Sequence, residues 1–163
     1  MAYQRLQVGR SLKVIPSDTV LIPDPATEAL SGATDGTTAN KLVLSTATFL
    51  NDGIQAGKAI VYNTTDNTCA YVTAIDSDTV LSLSVNIMAT GENFVIYNAA
   101  TSGCVLYNGT AQDLTVYMAA DTGNSHAPTT EQQFAAVPAG SFMPTFITGV
   151  KTTGSPTNLV ALW

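Results

Sequence analysis

The chain has one histidine, His126, with Asp121 and Glu131 as its nearest acidic residues in sequence. Imidazole chemistry of the Ser-His-acid kind needs a base oriented by a third group and a nucleophile exposed on a strained turn. His126 falls in 123–130, which reads as a loop, and there is no Gly-x-Ser-x-Gly run. Asp76 and Asp78 are spaced i and i+2, so they share one face of a strand or one turn. A carboxylate pair is the raw material of glycoside hydrolysis or of calcium binding. A calcium loop needs oxygen ligands at alternate positions, then a glycine and a distant glutamate. Thr79-Val80 breaks that pattern, so Asp76 and Asp78, like Asp66-Asn67, read as solvated turns. Cys69, Cys104 and His126 are scattered without zinc spacing, and no glycine-rich loop precedes a helix to cradle phosphate. These residues predict no catalytic, cofactor-binding or metal-binding set: the chain reads as not an enzyme.

What remains is suited to contact. The net charge is −6 and there are only six Lys and Arg residues, which excludes counterion-releasing grip on a nucleic-acid backbone. Arg5, Arg10 and Lys13 lie within the first thirteen residues, a basic end on an acidic body. Such an end either meets an acidic partner or stands as a solvated arm. Tyr3, Arg5, Arg10, Lys13 and the terminal Trp163 are therefore the candidate partner-binding residues. Trp163 is expected to pack over the end of the core or an interface. Cys69 and Cys104 are expected as buried free thiols rather than a disulfide framework. The first residues lack an apolar signal region and no later run is long enough to span a bilayer, so the expectation is synthesis and retention in the cytosol unless the chain leaves inside something larger. The sequons at Asn63 and Asn108 are read as chance matches in a Thr-rich chain.

The elements that position these residues read as strands. Charged residues make up 11% of the chain, about half the usual share. Thr, Ser, Asn and Gly replace them, which is a β composition with a hydroxyl-rich surface. Strands are predicted over 12–15, 19–22, 41–45, 58–63, 69–75, 79–83 and 93–97, and again over 104–107, 114–118, 133–137, 146–150 and 159–162. Pro16 stops the first, and Pro23 and Pro25 close the second and confine it to an edge or an extended arm. Residues 26–38, with little to bury, are predicted as a loop with a single helical turn at 27–30. Turns are placed at Asn51-Asp52-Gly53, Asp66-Asn67, Asp76-Ser77-Asp78, Asn108-Gly109, Asp121-Thr122-Gly123-Asn124 and Pro138-Ala139-Gly140. Strands joined this tightly are expected to be antiparallel. Ser17-Asp18-Thr19-Val20-Leu21 recurs as Ser77-Asp78-Thr79-Val80-Leu81, which is read as shared turn chemistry rather than duplication. Phe94, Tyr97, Tyr107, Tyr117, Phe134, Phe142 and Phe146 are assigned to core packing.

Two stretches carry a resemblance. Within 41–97, Gly57-Lys58-Ala59-Ile60-Val61-Tyr62-Asn63-Thr64-Thr65, Val72-Thr73-Ala74-Ile75-Asp76-Ser77-Asp78-Thr79-Val80-Leu81-Ser82-Leu83 and Phe94-Val95-Ile96-Tyr97 resemble a small β module of tailed-phage structural proteins. Lys58 and Ala59 depart from its usual first turn. The flanks carry Pro16-Ser17-Asp18-Thr19, Leu106-Tyr107-Asn108-Gly109-Thr110, Val137-Pro138-Ala139-Gly140 and a final Ala161-Leu162-Trp163. These are similar to small head-attached proteins of siphophages and gene transfer agents, including capsid decoration and head-spike base proteins; Met143 stands where Leu is usual. The resemblance implies an all-β fold: an antiparallel β-sandwich or barrel from 1–25 plus 99–163, with a small β module, 26–98, inserted. It implies a capsid decoration (cement) protein on the phage head exterior of the virion, partnered by the major capsid protein, forming a homo-oligomer and needing no cofactor, nucleic acid or membrane. A head-vertex spike base or tail/fibre-attachment protein is the nearest alternative, and a carbohydrate- or receptor-binding module the next.

Overall fold

The computed structural model describes residues 9–119 and 131–163, and over these the chain is all-β. Tyr3, Arg5, Asp121 and His126, with the turn expected at 121–124 and the loop at 123–130, lie outside the described residues. The strands form three antiparallel sheets. One has β1 (Ser11–Lys13), β8 (Val105–Asn108), β11 (Ser141–Phe142) and β13 (Leu159–Leu162) in the order β1-β13-β8-β11. A second orders β9 (Gln112–Met118), β10 (Glu131–Val137) and β12 (Ile147–Val150) as β10-β9-β12. The third is drawn from β2 (Glu28–Ala33), β3 (Lys41–Val43), β4 (Ile60–Asn63), β5 (Thr68–Ser77), β6 (Val80–Leu83) and β7 (Asn93–Tyr97), in the order β2-β7-β4-β5-β6-β3.

The first two sheets enclose one apolar core. Leu106 and Ala161 reach it from one sheet, Leu114, Val116, Ile147 and Val150 from the other. In the six-stranded sheet, alternation sends successive side chains to two different cores. Val61, Ala70, Phe94 and Ile96 enter a core shared with Leu42, Phe49 and Leu81. Their strand neighbours Ile60, Tyr62, Cys69 and Tyr97 turn the other way, onto Ile15 and Val20. This explains why Ile60-Val61-Tyr62-Asn63 is buried at every position and has no polar face. The Leu21 N–H donates to the Tyr71 hydroxyl at 3.2 Å across the same junction.

Several sequence expectations are corrected. Residues 26–38 are not a loop throughout, although 34–38 is irregular apart from an isolated bridge at Gly36. Glu28–Ala33 is an edge strand, β2, paired to β7 with a bulge between Glu28 and Leu30. Backbone pairing carries this polar, small-residue segment, and Gly32 lets it lie close to the Phe94 ring, 3.3 Å from where a Cβ would stand. The helical turn is displaced to Pro25–Thr27, where the Asp24 carboxylate accepts from the Ala26 N–H at 2.8 Å. Residues 19–22 join no sheet; the Ile22 N–H donates to Thr148 O and its carbonyl accepts from Thr101, at 2.9 and 2.8 Å. Asn108-Gly109 turns a corner between two sheets and closes no hairpin. Neither residue has positive φ. Gly109 is needed because a Cβ there would stand 2.8 Å from the Asn158 carbonyl oxygen. Phe142 and Phe146, expected in the core, are 52% and 64% exposed.

Candidate partner-binding surface

Three of the five predicted contact residues lie among the described residues, and the fold brings them to one margin of the four-stranded sheet. Arg10 immediately precedes β1, Lys13 ends it, and Trp163 follows its partner β13. Arg10 and Lys13 are exposed. Lys13 Nζ donates to Asn67 Oδ1 at 2.6 Å, reaching the turn between β4 and β5. Trp163 is half-buried against the core, and its indole N–H donates to Thr101 Oγ1 at 2.9 Å. Its backbone carbonyl accepts from the N–H groups of Gly9 and Arg10, while its N–H donates to the Arg10 carbonyl. Trp163 therefore ties down the base of the N-terminal segment. Lys41 and Lys151 are neutralised by Asp76 and Glu131. Among the described residues Arg10 and Lys13 have no ion-pair partner.

The register shows what adjoins them. Lys13 pairs with Val160, Val160 with Tyr107, and Tyr107 with Phe142, so these four side chains form one row on one face. Ser11, Leu162 and Val105 form the next row on that face. The intervening row, Leu12, Ala161 and Leu106, points into the core. The outward face is thus apolar except for Ser11, Lys13 and the Tyr107 hydroxyl. Phe142 stacks obliquely on Tyr107, with ring centroids 5.3 Å apart at 55°. Beside it a groove is lined by Val105, Phe142, Met143, Pro144, Thr145 and Phe146. Sequence reasoning missed this face, although a signal was present. Leu159-Val160-Ala161-Leu162 and Val105-Leu106-Tyr107 lack the apolar–polar alternation of a sheet with one wet side.

The other chemistry-bearing groups are absorbed by structure. Asp76 does not act with Asp78; it accepts from Lys41 Nζ at 2.6 Å and from Ser82 Oγ at 2.8 Å, and these bonds hold its pKa below the ordinary value. Asp18 is lowered likewise by the hydroxyl and N–H of Thr152, and Asp35 by those of Ser45. Cys69 and Cys104 are buried free thiols, pushed by burial up to about 11 and about 12. Asn63 and Asn108 are fully buried, so neither sequon presents an amide to solvent in the folded chain. No group of three His, Cys, Asp or Glu residues that could hold a metal ion occurs among the described residues. No helix there is long and apolar enough to cross a membrane.

Comparison with protein-family models, with curated proteins and with solved structures finds no match to this chain. The fold and the surface define it as an all-β module with one apolar, basic-rimmed sheet face.

Proposed function

We propose that the chain is a non-enzymatic structural protein of a tailed-phage particle, a decoration protein that binds the outside of the head and stabilises it. The observation that carries this reading is the outward face of the four-stranded sheet, where Val105, Tyr107, Phe142, Val160 and Leu162 accompany a single charged side chain, Lys13. Burying such a face removes apolar area from water and desolvates almost no ions. The sequence resemblance to head-attached phage proteins supplies the setting. A protein that binds only the assembled shell stabilises it by mass action. Quantitative mass spectrometry of purified particles, measuring this chain against the major capsid protein, tests the proposal. A copy number that scales with shell subunits is expected. A number matching the vertices or the tail would move the chain to a spike base or fibre attachment, and absence from particles would overturn the reading.

The exposed rings of Phe142 and Phe146 favour a second reading, a carbohydrate-binding module. Sugar recognition needs polar groups converging beside the ring. Thr145 is the one hydroxyl residue lining this groove, which weighs against it. Saturable binding on a glycan array would reverse that judgement.

A further inference from the structure

We infer that the outward face of the β1-β13-β8-β11 sheet docks an acidic protein surface, which sets a carboxylate against Lys13 and an apolar side chain into the groove between Phe142 and Phe146. The inference rests on the reading of the chain as a shell-bound protein and assigns the face and the partner's chemistry.

Among the described residues the large exposed apolar side chains are Leu50, Val85, Phe142 and Phe146. Two of these four border one groove, and that groove continues into a row of half-buried apolar side chains. A contiguous apolar patch of this kind marks an interaction site more often than scattered single residues do. Lys13 and Phe142 end the same row, three strand spacings apart, which is roughly 14 Å. A partner covering the row must therefore meet a cation at one margin and an aromatic pocket at the other.

Charge selects the occupant. The chain carries twelve Asp and Glu residues against six Lys and Arg, yet the paired rows of this face contain no carboxylate. The cation on the face, Lys13, and its neighbour Arg10 have no ion-pair partner among the described residues. A second copy joined by two-fold symmetry would present the same face to itself, leaving Lys13 without a counter-charge. A partner with its own carboxylate at that margin satisfies both ends of the row. Screening by salt should weaken the contact.

The test uses the full chain and heads purified from the particle and stripped of it. Wild-type protein should rebind. Lys13→Glu, and separately Phe142→Ser with Phe146→Ser, should weaken rebinding about tenfold or more. Lys13→Arg should retain it, as should Leu50→Ser with Val85→Ser, residues that lie off this face. Each variant is first checked for an unchanged melting temperature, which exposed positions should permit. Carbodiimide coupling on the rebound heads should join Lys13 to an Asp or Glu of the shell protein. If wild type fails to bind heads, the reading as a shell protein fails. If wild type binds and either Lys13→Glu or the Phe double variant binds equally well, only the face assignment is overturned. Coupling of Lys13 solely to another copy of this chain would overturn the acidic-partner assignment in favour of self-association.

Discussion

Asn108 illustrates how much one buried amide does here. Its Nδ2 donates to the carbonyls of Val137 and Pro138, both at 3.1 Å, and its Oδ1 accepts from Gln112 Nε2 at 2.6 Å. It thus joins the end of β8 to the end of β10 and the start of β9. Asn108→Ala would strand buried polar partners, so a loss of about 2 kcal/mol is expected, read as a lower urea midpoint at unchanged slope. The thiols make a second prediction. Burial pushes the Cys69 and Cys104 thiols from an ordinary value of 9.0 up to about 11 and about 12. Burial likewise raises Tyr62, Tyr71, Tyr97 and Tyr117. Groups raised on folding add stability that is fully present below the unfolded value and lost as pH rises through the folded one. Stability should therefore fall from pH 9 upward, and a thiol reagent at neutral pH should label neither cysteine until denaturant is added. Fast labelling of native protein would contradict the burial. On the acid side the sign reverses: Asp18, Asp35 and Asp76 contribute above their unfolded value of 3.8, and that contribution fades as pH falls below it.

At the scale of elements, close approach governs the second sheet. Gly149 in β12 lies where a Cβ would be 2.8 Å from a Tyr117 ring carbon and 3.2 Å from a Leu21 methyl. The ladder between β12 and β9 shifts register at this point, between Ile147 and Gly149. Gly149→Ala should force the tyrosine ring or the strand aside and cost about 2 kcal/mol. A melting temperature equal to that of wild type would show that Tyr117 moves freely. The Ser-Asp-Thr echo also resolves at this scale. Ser17 Oγ accepts from the Thr19 and Val20 N–H groups, and Ser77 Oγ from the Thr79 N–H. Both sites make the same hydroxyl-capped turn, but only Val80–Leu83 continues as a strand.

For the whole molecule, the junction around Ile15, Val20, Tyr62 and Tyr97 binds the six-stranded sheet to the segment leading out of β1. Tyr62 and Tyr97 meet edge to face, with ring centroids 5.8 Å apart, within it. The residues before Gly9 should be dispensable for this framework. Gly9 and Arg10 bond to the Trp163 backbone, so truncation should stop at residue 8. Deleting residues 1–8, which removes Tyr3 and Arg5, should leave the thermal transition unchanged and, if the chain is the head-bound protein proposed above, abolish its binding to heads. Full binding by the truncated protein would remove the arm from the contact and leave the sheet face alone.

Fold class was written locally. Turn residues, β-branched Thr and alternating apolar runs act over a few residues, and they sufficed to place the strands from β3 to β10 and β12 and β13, though not which of them pair. They failed at β2, because Glu28–Ala33 is held by the backbone of β7 and buries little of its own. They misread Asn108-Gly109, because the demand for glycine comes from Asn158, 49 residues away in the 163-residue chain. The basic cluster was legible as composition. Its setting beside an apolar face was not, since the rows from Lys13 to Phe142 exist only once four distant strands have been brought into register. Sequence determined which segments extend and turn, through short-range sterics and hydrogen bonding. Tertiary structure decided which apolar side chains stay exposed or half-buried among the described residues, because burial depends on which sheets pack against which face.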